Sequence, residues 1–229
     1  MSDIEIKSNT IFHKNSSLKR LDVSFLKHIN FKEYKTSDLL AYWIKDFSRY
    51  HDEEKYFDCS KSGVFSRGNI IKANLGFNIG NELGGLHYCI ILNKYDNMRN
   101  GTLNIVPLTS RKENKKYNAS TVNLGNELYN ILNFNLEKEK IKFNEILLKL
   151  NRLDDIPSLL QKTIEIERTN IKKLEKEISK MKQDSIVLIN QITTISKQRI
   201  YTDSLIRKVK LSNNSLNLID EHIIKYFTK

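Results

Sequence analysis

The sequence predicts an α+β fold, in which a block of short strands is flanked and interrupted by helices. Three observations carry this. All eight glycines fall between Gly63 and Gly125, and the strongest strand patterns lie in the same stretch. Apolar side chains recur at three- and four-residue spacing from Leu18 to about Asp58, which is the helical period. A third stretch, Leu132 to Met181, places apolar residues near heptad a and d positions and separates a late strand at Ser185 from the earlier ones.

Residues 1–16 are polar and are expected to fray. Phe25, Leu26, Ile29 and Phe31 form one apolar cluster. Leu39, Leu40, Trp43, Ile44 and Phe47 form another, with Thr36 or Ser37 as N-cap, so residues 1–60 read as a helical extension of two or three helices. Trp43 is expected in a core or interface. Strands follow at Asn69–Leu75, His87–Lys94 and Thr102–Leu108, with a turn at Asn100-Gly101 and a further short strand at Thr121–Leu124. The loop from Gly76 to Gly85 holds four glycines, which lets backbone approach a ligand closely.

From Asn126 the period changes. Leu132, Leu136, Phe143, Ile146, Leu150 and Leu153 form one heptad series, with Glu139 as its polar exception. Leu160, Ile164, Ile171, Leu174, Ile178 and Met181 form a second. Asp154-Asp155-Ile156-Pro157-Ser158 breaks the helix between them, and Pro157 suits a new start. Residues 126–182 therefore read as an inserted antiparallel coiled-coil hairpin. Ser185–Ile189 is an apolar strand, Gln191–Arg199 a strand edge or loop, and Ser215–Phe227 an amphipathic helix.

The composition bounds the function. With 229 residues, 39% hydrophobic and 28% charged, the chain can bury a sizeable core. No apolar run is long enough to span a bilayer, and the N-terminus lacks an apolar signal core, so a cytoplasmic protein with no membrane partner is expected. Two cysteines, Cys59 and Cys89, make no disulfide framework, and no Cys/His spacing suits zinc. The net charge is +11. Residues 1–60 are neutral overall, residues 61–125 carry +6, residues 126–182 carry +2 and residues 183–229 carry +3. A basic surface of this kind attracts nucleic acid or an acidic partner protein, the alternative being a generic solubility charge.

Four pieces in order carry a resemblance. They are RGNIIKANLG from Arg67, GNELGGLHYCIIL from Gly80, NIVPLTSRK from Asn104 and DSIVLINQITTISKQRI from Asp184. Together they resemble the MazF/PemK family of ribonuclease toxins, over residues 61–125 and 183–229. The resemblance implies a small, strongly curved β-barrel of the MazF/PemK/CcdB type, usually a homodimer. It implies a toxin of a toxin–antitoxin pair, inhibited by an acidic antitoxin. It further implies an endoribonuclease that cleaves single-stranded RNA without a metal or other cofactor, by attack of a 2′-hydroxyl on its own phosphate.

On this resemblance Thr109 falls on the active-site threonine and His87 falls where the family usually has a catalytic arginine. Asn81 replaces a frequent serine, and Tyr88 replaces a proline. Histidine titrates near neutrality and moves a proton either way, so His87 is the expected general acid or base. Thr109 or Ser110 would position the phosphate, and Glu82 would be a second proton carrier. Arg67, Arg111 and Lys112 would supply positive charge, and Asn81 and Gln191 would contact RNA. The alternative is a non-catalytic module that binds nucleic acid or a partner through the same basic face, with His87 a strand histidine, Arg67 a structural salt-bridge residue and Thr109-Ser110 a strand cap. A third reading makes the insertion a regulator in cis. A Cys89–His87 nucleophile is disfavoured because side chains two apart on one strand lie about 7 Å apart. Tyr56, Phe57, Phe65 and Tyr117 could stack bases, but aromatics beside strands are more often core.

Overall fold

A computed structural model describes residues 2–150, 157–201 and 209–228. The chain forms two compact units, Met1–Lys55 and Tyr56–Lys229.

The first unit is a pair of helices, α1 (Asp3–Asn30) and α2 (Tyr34–Glu53). The polar start is helical, not frayed. Ser2 and Glu5 form a capping box: the Ser2 hydroxyl accepts from the Glu5 N–H, and the Glu5 carboxylate accepts from the Ser2 N–H at 2.7 Å. This satisfies N–H groups that a helix start otherwise leaves open. Helix α2 begins ahead of Thr36 and Ser37, with Glu33 at its N-cap and no side-chain cap bond; Ser37 is buried. Trp43 is half-buried and packs on Phe47 and Tyr50.

The second unit carries an antiparallel sheet of seven strands: β1 (Ile70–Asn74), β2 (Leu86–Ile91), β3 (Thr102–Ser110), β4 (Thr121–Gly125), β5 (Ser185–Leu188), β6 (Thr193–Ser196) and β7 (Ile200–Tyr201). The order is β4-β5-β3-β2-β1-β7, with β6 also paired to β3. Among the described residues the expected closed barrel is not formed, because their sheet is open. The segment from β6 to β7 pairs first with β3 and then with β1, and a 3-10 turn at Lys197–Arg199 interrupts it, so no continuous ladder closes the ring.

Lys197 explains that turn. Its side chain is fully buried and ion-paired at 2.8 Å with an equally buried Asp96. The other donors of the ammonium reach the Gly63 and Asn97 carbonyls. A buried charge persists only when its donors are matched in this way.

The sheet has two apolar faces. Ile71, Ala73, Cys89, Ile91, Leu103 and Ile105 pack with Phe65, Ile195 and Ile200 on one. Ile70, Ile90, Val106, Leu108 and Val187 on the other meet the helices α3 (Glu127–Leu150), α4 (Ser158–Ile178) and α5 (Asn213–Phe227). Gly68 lets α5 approach, since a Cβ there would sit 2.7 Å from Leu216 Cδ1.

Helices α3 and α4 stand where the heptads place them, and Pro157 is the N-cap of α4; Leu153 and Asp154 to Ile156 lie outside the described residues. Leu128, Leu132 and Leu136 from the start of α3 pack with Ile171, Leu174 and Ile178 from the end of α4, beside the sheet. Further out, Ile146 is 49% exposed and Leu147 is half-buried in its place. A straight helix drifts by roughly 20° per heptad against a 3.5-residue repeat, which moves the inward position by one residue.

Candidate functional site

Strand β3 contacts β2 only from Ile105 to Pro107, and on its other edge pairs β6 and then β5. Proline has no N–H to donate, so the ladder to β2 ends naturally at Cys89↔Pro107. Beyond it the start of β2 and the end of β3 part. The gap is a cleft of about 260 Å³ lined by His87, Tyr88, Leu108, Thr109, Ser110 and Lys112, with Leu128, Met181 and Lys182 among the remaining residues of its wall.

The His87 ring is half-buried, and its Nδ1 lies 3.0 Å from the Leu108 carbonyl oxygen. A carbonyl only accepts, so in the neutral ring Nδ1 carries the proton and Nε2 is the basic atom. Ser110 stands opposite Ser185 and Thr109 opposite Ile186, which fixes both hydroxyl-bearing residues to the β3–β5 ladder. Lys112 follows directly, and its N–H donates to the Tyr117 hydroxyl at 2.8 Å.

The structure thus brings His87, Thr109, Ser110 and Lys112 together. The other expected residues stand outside the cleft lining. Glu82 is exposed on the glycine loop, where its carboxylate lies 3.4 Å from the Ile79 N–H. Gln191 closes the same loop, accepting from the Leu83 N–H at 2.9 Å and donating to the Asn81 carbonyl at 3.3 Å. The loop glycines serve this closure: a Cβ on Gly84 would sit 2.6 Å from the Gly76 carbonyl oxygen. Arg67 donates to the Leu92 carbonyl and pairs with Asp220. Arg111 lies 3.4 Å from the Asp184 carboxylate, half exposed.

Cys89 is no nucleophile. It is fully buried, its thiol faces the carbonyl of His87, and burial pushes its pKa up to about 12. Phe65 is buried beneath Lys197, which removes it as a base-stacking platform.

Two residues of the site escaped the sequence reading. Lys182 lies at the end of the insertion, just ahead of β5, and its place in the cleft follows from the Ser110↔Ser185 register. Glu177 on α4 accepts from the Tyr88 hydroxyl at 2.6 Å and pairs with Lys72 at 2.5 Å, tying the hairpin to β1 and β2 beside the cleft. No group of three His, Cys, Asp or Glu side chains among the described residues is placed to hold a metal ion. Nor is any described helix long and apolar enough to cross a membrane.

These residues define an α+β protein with a basic, hydroxyl-lined cleft at the split end of an antiparallel sheet. The model of the PemK-like, MazF-like toxins of type II toxin–antitoxin systems matches residues 66–148, about a third of the chain, so this segment is similar to that family. The matched segment runs from just before β1 through β4 into α3 and includes His87, Thr109, Ser110 and Lys112. No curated protein matches the chain.

Proposed function

We propose that the protein is the toxin of a type II toxin–antitoxin pair and acts as a metal-independent endoribonuclease on single-stranded RNA. The observation that carries this is the convergence of His87, Thr109, Ser110 and Lys112 on one cleft inside the family-matched segment. His87 Nε2 takes the proton of the 2′-hydroxyl. The 2′-oxygen then bonds to phosphorus as the bond to the 5′-oxygen breaks, and that oxygen takes a proton from solvent. The product ends are a 2′,3′-cyclic phosphate and a 5′-hydroxyl. Thr109 and Ser110 donate to the phosphate oxygens, and Lys112 offsets the charge that builds on the phosphorane. Glu82, whose side chain serves the loop, has no step in this scheme.

An acidic antitoxin segment would block the cleft by complementing its charge. The homodimer implied by the resemblance belongs to the same proposal, and sedimentation of the purified protein checks it. The test of the reaction is incubation of the protein with mixed-sequence single-stranded RNA, with and without EDTA. Cleavage that survives EDTA and leaves cyclic phosphate ends is expected. Cleavage that EDTA abolishes would replace this chemistry with another.

A second reading has one observation in its favour. The His87–Leu108 hydrogen bond is also how a structural strand histidine sits. It makes the protein a binding module, and it predicts RNA that is bound and left intact.

A further inference from the structure

We infer that Lys182, at the end of the inserted hairpin, contacts the RNA phosphate in the cleft, which makes the insertion part of the site. This rests on the reading of the cleft as an RNA site. The first argument is register. Ser110 pairs with Ser185, and the Arg111 N–H donates to the Asp184 carbonyl at 2.9 Å, so the ladder runs one step past the strands. Lys112 and Lys182 therefore leave neighbouring strands at the same end of the cleft, and both line it.

The second argument is charge. Three other cations of the sheet unit are engaged elsewhere: Lys72 with Glu177, Arg67 with Asp220 and Arg111 with Asp184. Lys112 and Lys182 make no ion pair among the described residues. Two ammonium groups at one rim repel each other, and an anion between them turns that repulsion into attraction. The phosphorane carries more negative charge than the bound diester, so the effect is larger in the transition state than in the ground state.

The third argument is placement. Lys182 is four residues beyond Ile178, whose side chain is in the core, and the Met181 N–H still donates to the Ile178 carbonyl at 3.0 Å. The Glu177 carboxylate, held by Lys72 and the Tyr88 hydroxyl, pins the turn from which Lys182 extends. The lysine is thus delivered by an anchored segment, and its flexible stem supplies the reach.

The test uses the full chain with K182A, K182R and, as control, K173A, an exposed lysine on α4 that does not line the cleft. Turnover is measured on single-stranded RNA. Binding of an uncleavable single-stranded 2′-deoxy oligonucleotide is measured across salt concentrations. K182A is expected to lower kcat/KM by roughly 10- to 100-fold, the range of one charge-assisted hydrogen bond. It should also reduce the slope of log affinity against log salt by about 0.7, one single-strand phosphate. K182R should keep most of both, and K173A should change neither. Normal turnover and slope in K182A, with wild-type protein active, would overturn this inference alone. Equal losses in K173A would also overturn it, by showing a diffuse field. Wild-type protein that binds with a Lys182-dependent slope yet never cleaves would sink the ribonuclease reading and leave the phosphate contact standing. Wild-type protein that neither binds nor cleaves would overturn both.

Discussion

Lysine has opposite parts in two regions of the sheet unit. At the 3-10 turn before β7, Lys197 is sealed from solvent, and Asp96 and two carbonyls take its three donors. At the split between β2 and β3, Lys112 and Lys182 line the cleft without a carboxylate partner among the described residues. The first arrangement fixes the backbone and leaves nothing for a ligand. The second contributes little to folding and leaves its charge free for one. Net charge alone does not separate them; the partners do.

The sharpest way to break this contrast is Lys197→Met. It leaves the Asp96 carboxylate buried without its cation and should cost about 3–5 kcal/mol in denaturant unfolding. A loss below 1 kcal/mol would show that the pair is not what holds the turn. Leu174→Ala, in the core where the hairpin meets the sheet, should cost about 2–5 kcal/mol, whereas Leu159→Ala, 76% exposed on α4, should stay within about 0.5 kcal/mol. Equal costs at both positions would mean that the outer hairpin is packed as firmly as its base.

The same pair gives a pH dependence. Burial raises the Asp96 carboxyl, but hydrogen bonds from Lys197, the Phe65 N–H and Asn100, with the Lys197 charge, outweigh it and hold the group below its usual value. The folded value is thus below the unfolded one. The contribution is present above about pH 4 and is lost as pH falls through the folded value. Thermal melts of wild type and Asp96→Asn should converge as pH drops below 4. A gap that stays constant down to pH 2 would contradict this. The smallest effect is expected at the rim, where Lys112→Ala should change stability by less than about 0.5 kcal/mol while weakening RNA binding. A larger loss of stability would place Lys112 with Lys197 on the structural side.

Much of this fold is legible in the sequence, and the failures have physical causes. The apolar runs around Ile71, Cys89 and Ile105 are strands whose alternate residues enter the two cores on either side of the shared sheet. Strand β3 runs past Leu108 to Ser110 because a second partner, β5, takes over where β2 leaves, which no local pattern encodes. The polar start is helical because polarity alone does not fray a helix end: Ser2 and Glu5 spell a capping box. The heptads announce the two helices, and the base of the pair packs beside the sheet. In the candidate site, His87, Thr109 and Ser110 are legible because they lie on strands, with Lys112 two residues past the end of β3. Lys182 is not legible, because its position depends on a strand pairing across the whole insertion. Arg67 and Gln191 looked like ligand-binding residues for the opposite reason: their partners, Asp220 and the Leu83 N–H, are far away in sequence.

The central claim is that His87 works as a base in the cleft, and single-turnover cleavage of RNA by wild type and His87→Ala, both shown to be folded by circular dichroism, tests it most directly. A loss of about 10²–10⁴-fold in rate, with binding of an uncleavable strand preserved, is the predicted result. A folded His87→Ala variant that cleaves at the wild-type rate would contradict it.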